Sequence, residues 1–135
     1  MIRLDSIDHV VFTVRDVEAT GTWYSQVLGT EVLTFGGGRK ALQIGHCKIN
    51  LHQTGREFEP KAACPAPGTQ DICLVTTSSM QEVVDHLTGI GVPIIEGPVA
   101  KTGAMGPIES VYLRDPDGNL IEVARYADRE TTLVL

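Results

Sequence analysis

The three cysteines, Cys47, Cys64 and Cys73, are odd in number and show no C-x-x-C pairing, so they fit neither a disulfide scaffold nor a thiolate zinc knuckle. Reduced thiols in a cytosol are the expectation. Long apolar runs are missing too. No stretch approaches the roughly 20 consecutive apolar residues of a membrane span. Asp5, Asp8 and His9 stand where a secretory signal would need an uninterrupted apolar segment. A soluble, cytoplasmic protein with no membrane partner is expected. Bases are scarce, 11 against 17 acids for a net charge of −6, and they form no run, so the long-range field repels nucleic acid. Gly36-Gly37-Gly38 lacks the Gly-Lys-Ser/Thr ending of a phosphate-binding loop and the spacing of a dinucleotide fingerprint, and no G-x-S-x-G elbow occurs.

What remains is ordinary globular material. At 135 residues, 42 % apolar and 21 % charged, the chain is long enough to bury a real core and reads as a single domain over residues 1–135. The run from Ile7 to Val14 is rich in β-branched and aromatic residues and reads as a strand. Asp16 then caps a helix through Leu28, with Glu18 in its first turn and Gly29 as its stop. Glu31 to Phe35, Lys40 to Ile44 and Lys48 to His52 are extended segments separated by glycine turns, and residues 55–68 form a polar, Pro-bearing linker.

Beyond the linker the order recurs. Asp71 to Thr76 reads as a strand and Ser79 to Leu87 as a helix, ended by Gly89-Ile90-Gly91. Pro93 to Ile95, Ser110 to Leu113 and Leu120 to Ala124 read as strands. The chain is therefore α+β: a βαβββ module at about 5–54 and a second at about 69–126. Matching first strands sets Asp8-His9-Val10 against Gln70-Asp71-Ile72. Matching last strands sets Asn50-Leu51-His52 against Leu120-Ile121-Glu122. The extra residues of the second half then fall in the Gly/Pro-rich stretch Gly97 to Pro107, a candidate lid or substrate loop.

On this matching His9, His52, Asp71 and Glu122 occupy equivalent places, each in an otherwise apolar strand. On an outer sheet face they would merely be solvated. On an inner face they would converge as an imidazole and carboxylate set suited to zinc, nickel, manganese or iron(II), the open positions making the metal a Lewis acid. His46 in a glycine turn and His86 on the polar side of the second helix are expected to be exposed, and Trp23 and Tyr24 to be core. Lys101 and Arg114 are candidate binders of a substrate carboxylate.

Three stretches carry a resemblance: Ile7-Asp8-His9-Val10-Val11-Phe12-Thr13-Val14, Trp23-Tyr24-Ser25-Gln26-Val27-Leu28-Gly29 and, most specifically, Leu113-Arg114-Asp115-Pro116-Asp117-Gly118-Asn119-Leu120-Ile121-Glu122. With them the chain resembles the vicinal oxygen chelate superfamily of glyoxalase I, fosfomycin-resistance proteins, bleomycin-binding proteins and extradiol dioxygenases. The stretch Gly55 to Ala63 is similar to the subgroup called glyoxalase-domain-containing protein 5. The resemblance implies two βαβββ modules curving a mixed sheet around a cleft that holds a divalent metal, a small-molecule substrate and a homodimer. The ligands it implies are His9, His52 and Glu122. Asp71 stands where the better-known members carry histidine, and so becomes, with Glu122, a candidate proton-moving carboxylate. Lyase or isomerase chemistry on a substrate with adjacent oxygens is the leading expectation. An extradiol dioxygenase using iron(II), or a metal-free binding or resistance protein, is the alternative.

Overall fold

The structure, a computed structural model, describes residues 1–127. The elements run β1 (His9–Val14), α1 (Val17–Leu28), β2 (Glu31–Phe35), β3 (Arg39–Ile44), β4 (Cys47–Gln53), β5 (Asp71–Val75), α2 (Met80–Gly89), β6 (Glu96–Gly103), β7 (Gly106–Arg114) and β8 (Leu120–Tyr126). This is the expected α+β order, βαβββ twice. The chain divides into two compact units, Met1–Gln70 with Pro116–Gly118, and Asp71–Asp115 with the chain from Asn119.

In the first unit a four-stranded mixed sheet has the order β1-β4-β3-β2, with β1 parallel to β4 and the other pairs antiparallel. The Asp16 carboxylate accepts from Ala19 N at 3.0 Å and starts α1, while Gly29 at φ 69° lets its N–H close the last turn on Ser25 and Tyr24. Strand alternation sends Phe12, Val14, Leu42, Ile49 and Leu51 into the core, where Tyr24 and Val27 of α1 are also buried. Trp23 is only half-buried beside Tyr24. The opposite face of this sheet carries His9, Val11 and Thr13 beside Lys48, Asn50 and His52. Residues 55–68 do not act as a free linker: they belong to this unit, and part of them lines a cavity on that second face.

The second unit repeats the plan in the order β5-β8-β7-β6, again with the first pair parallel. A reciprocal cap opens α2: Glu82 N donates to Ser79 Oγ at 3.1 Å and Ser79 Oγ donates to Glu82 Oε1 at 3.2 Å. Met80, Leu87, Val111, Leu113, Ile121 and Val123 form its core.

Two boundaries differ from the sequence reading. The sixth strand is Glu96–Gly103 and not Pro93 to Ile95, and β7 begins at Gly106. The candidate lid is thus a β-hairpin closed by Ala104-Met105. Pairing along β7 outweighs the Gly/Pro composition. The strand accommodates Gly97 at a bulge between Glu96 and Val99, where a side chain would collide with the Ser110 carbonyl. Tyr126 Oη accepts from Met105 N at 3.1 Å and ties the hairpin tip down.

Candidate functional site

Each unit presents one polar sheet face, and the two faces differ in chemistry. On the first, His9 is exposed, with Nδ1 2.8 Å from Asp8 Oδ2. A carboxylate there accepts a hydrogen bond from Nδ1–H, which favours the tautomer that leaves the Nε2 lone pair for a metal. Asn50 is buried, and its Oδ1 has no hydrogen-bond partner among the described residues. His52 is 4 % exposed. Its Nε2 lies 3.5 Å from Arg39 Nη2, and its ring meets Phe58 edge-on at 5.4 Å. Burial first, and then the Arg39 charge, hold the His52 pKa below its usual value against an opposing pull from Glu57. His52 therefore sits as a neutral imidazole near pH 7.

The second face centres on Glu122. The turn Asp115-Pro116-Asp117-Gly118-Asn119 leads into its strand. Asn119, fully buried, donates from N and Nδ2 to the Asp115 carboxylate at 2.9 and 2.8 Å. Register places Cys73 and Tyr112 on either side of Glu122. Ser110 Oγ donates to Glu122 Oε2 at 2.6 Å, and Cys73 and Tyr112 flank the carboxylate on the neighbouring strands. Burial, then the charge and hydrogen bond of Glu122, push the Cys73 thiol up to about 11. Tyr112 is raised by burial first and then by Glu122. A cavity of about 420 Å³ is lined by Cys73, Tyr112 and Glu122 together with Lys101 and Tyr126. Lys101 Nζ is 3.8 Å from Glu96 Oε2 and 5.6 Å from the centre of the Tyr112 ring.

Of the sequence candidates, Glu122 and Lys101 share this cavity. Asp71 is exposed on the same strand face, two residues before Cys73. Arg114 ends β7 opposite Leu120 and lines no part of it. His46 and His86 are exposed, as expected. The matching of His52 with Glu122 does not hold. His9 pairs with Lys48 and Asp71 with Leu120, so the residue in Glu122's place, opposite the second residue beyond the pair, is Asn50. His52 lies four residues along β4 from the partner of His9, about 13 Å. Its ring is turned to Arg39 and Phe58, so the two imidazoles are not brought together. Within neither unit do three or more described His, Cys, Asp or Glu side chains cluster as a metal-binding group. Each unit instead offers two donors at equivalent register: His9 with Asn50, and Asp71 with Glu122.

Sequence reasoning misses Asn50, although a polar residue between Ile49 and Leu51 is the same signal that draws attention to Glu122 between Ile121 and Val123. Ser110, Tyr112 and Cys73 become visible only once the strands are paired.

Residues 6–123 match a known family, the Glyoxalase/Bleomycin resistance protein/Dioxygenase superfamily. The chain is 53 % identical over 127 residues to the glyoxalase domain-containing protein RDO1 of Mycosarcoma maydis, covering 94 % of this chain and 72 % of that one. It is 51 % identical over 123 residues to virulence protein STM3117 of Salmonella typhimurium, covering 91 % and 85 %. The crystal structure of STM3117 superposes with a TM-score of 0.91 at 50 % identity, covering 93 % of this chain and all of that one. The metallothiol transferase FosB of Staphylococcus epidermidis is 25 % identical over 122 residues, 90 % of this chain and 82 % of that one. With its paired βαβββ modules and a family match over nearly its whole described length, the chain belongs to the glyoxalase/bleomycin resistance/dioxygenase superfamily, the vicinal oxygen chelate proteins.

Proposed function

We propose that the protein is a divalent-metal-dependent enzyme of glyoxalase type, a lyase or isomerase acting on a small substrate with adjacent oxygens. The observation that carries the reading is Glu122: a carboxylate in a cavity of about 420 Å³, held by Ser110 and flanked by Tyr112 and Cys73. The donor chemistry fits a divalent ion such as zinc, nickel, manganese or iron(II). With Nδ1–H donating to Asp8, His9 keeps its Nε2 lone pair for a metal, and Asn50 Oδ1 is a buried oxygen with no partner among the described residues. Each unit supplies a pair of candidate donors, His9 with Asn50 in the first and Asp71 with Glu122 in the second. FosB, named for metal and thiol chemistry, is a relative consistent with this reading.

A bound divalent metal supplies Lewis acidity to two neighbouring substrate oxygens. The chain's own residues do the rest. An ionised carboxylate at Glu122 or Asp71 accepts the proton that leaves carbon and returns it to the neighbouring carbon. The Ser110 hydroxyl donates to the Glu122 carboxylate and holds it in one orientation, which keeps the accepting lone pair in place. Lys101, on the wall of the same cavity, pairs with an anionic group of the substrate. A two-histidine iron(II) site has less support, because His52 is committed to Arg39 and Phe58.

The test is metal analysis of protein purified without chelator and of apo-protein titrated with zinc, manganese, nickel and iron(II). One ion per site, weakened by orders of magnitude in His9→Ala and Glu122→Gln variants that stay folded, is the expected result. Wild-type protein that takes up none of these ions overturns the proposal.

A further inference from the structure

The outermost strands of the two sheets end their hydrogen-bonded ladders differently. β6 closes the second sheet with Pro98, Lys101 and the bulge between Glu96 and Val99, all devices that discourage a further strand from pairing. β2 closes the first sheet with none of them. Its residues, Glu31-Val32-Leu33-Thr34-Phe35, include no glycine, proline or lysine and pair with β3 in unbroken register. No described strand takes the other edge of β2. The helix leaves that edge open as well: a groove of about 310 Å³, lined by Gly21, Ser25 and Val32, lies where α1 and β2 meet, and Val32 is 38 % exposed. An open, regular edge of β-branched and aromatic residues is a template for one more strand.

The charges along β2 say which strand. Alternation puts Glu31, Leu33 and Phe35 on one face, beside Gln43, Ala41 and Arg39 of β3. Glu31, at one end, is exposed and makes no ion pair with a described cation. At the other end two cations meet on the Phe35 ring, Lys48 Nζ at 3.8 Å and the Arg39 guanidinium at 5.2 Å from its centre. Neither cation lies within ion-pair distance of a described carboxylate. The rim is therefore acidic where β2 begins and basic where it ends, and an identical strand laid antiparallel brings acid to base at both ends. Pairing the whole strand with equivalent faces on one side fixes the register. Leu33 stands opposite Leu33 of the second copy, Val32 opposite Thr34 and Glu31 opposite Phe35, while the two Glu31 residues stay roughly 13 Å apart along the strands.

We infer that β2 is a self-pairing edge: two copies of the chain join their first sheets antiparallel through Glu31–Phe35 about a two-fold axis at Leu33, each Glu31 carboxylate set against the Lys48 and Arg39 cations of the other copy. The contact closes at two copies, because the axis uses the β2 edge of each. A contact one short strand deep supports a reversible dimer, in the micromolar to sub-millimolar range. Pairing of this kind needs no metal, so its tests are run with chelator present and stand whatever becomes of the metal reading.

Sedimentation equilibrium of the full chain should give a monomer–dimer equilibrium that weakens as sodium chloride is raised. Glu31→Lys sets like charges together and should weaken it about tenfold or more, as should Lys48→Glu. Combining the two restores opposite charges and should bring the affinity back to within a few-fold of wild type. In a background with the exposed Cys64 and Cys73 changed to Ser, Leu33→Cys should form a disulfide between copies on mild oxidation, because its counterpart lies directly opposite, and Glu31→Cys should not. Wild-type protein that stays monomeric up to about 1 mM overturns the inference. So does a dimer indifferent to Glu31→Lys, or one in which Glu31→Cys cross-links as readily as Leu33→Cys. Should a charge variant fail to fold, wild-type sedimentation and the cross-linking comparison still decide the matter.

Discussion

The two polar sheet faces are built on the same strand order and parallel first pair, yet a segment of chain packs along one and the groups they present differ. In the first unit residues 60–70 roof the sheet, and the ionisable group beneath, His52, is 4 % exposed and kept neutral. In the second no such segment covers the sheet among the described residues: Asp71, Cys73 and Val75 are exposed, and a carboxylate occupies the central register position. Burial selects a neutral donor where a segment of chain excludes water. A charge survives where hydroxyl donors and solvent can share it. At the position common to both faces the first unit carries an amide, Asn50, and the second an acid, Glu122.

Exchanging those two residues should break the comparison most severely. Glu122→Gln removes the only acid at either position and should lower divalent-metal affinity by about a hundredfold or more, read by titration of apo-protein. Asn50→Asp should act in the opposite sense. A carboxylate buried without a partner should cost the apo-protein about 1–3 kcal/mol, and added metal should return much of it, read as melting temperature with and without the ion.

Opening the roof comes next. Phe58 stacks on Arg39 and packs on His52, so Phe58→Ala should cost roughly 1–2 kcal/mol at a site that is already partly exposed. It should also let water reach His52 and move its pKa up toward the ordinary imidazole value, read by NMR titration. Failure of His52 to respond would mean that burial is not what holds it neutral.

The wild-type protein should show the same linkage with pH. The folded His52 pKa lies below its usual 6.5, so between the two values the unfolded chain binds a proton that the folded chain does not. Stability from this group is full above about pH 6.5 and falls as the pH drops through the folded value. The urea midpoint should therefore fall less on acidification in His52→Gln than in wild type. The smallest effect belongs to the second face: Glu122→Gln removes the charge that, after desolvation of the sulfur, raises the Cys73 thiol, so alkylation of Cys73 near pH 8 should quicken a few-fold.

Much of this molecule is legible before any strand is paired. Asp16 and Ser79 announce helix starts, Gly29 a stop, and the Asp115 to Asn119 turn the last strand, because capping and turn chemistry act over three or four residues. The stretch 97–107 reads as a loop for the converse reason. Its glycines and prolines disfavour a strand locally, and only the hydrogen bonds of β7 and the bulge at Gly97 make one there. Residues 55–68 read as a linker, since nothing local reveals that Phe58 stacks on Arg39.

The sequence by itself determined the element order, the buried strand faces and the presence of isolated polar residues in apolar strands, all of them consequences of short-range periodicity. Only the tertiary structure decided which of Asn50 and His52 stands in Glu122's place. Both are polar, both lie on the same strand face, and they are separated by two residues, so alternation cannot distinguish them. An antiparallel hairpin would have set the register through its turn. β1 and β4 are parallel and joined through a helix and two further strands, so their register is set by packing across the whole unit and is written in no local motif.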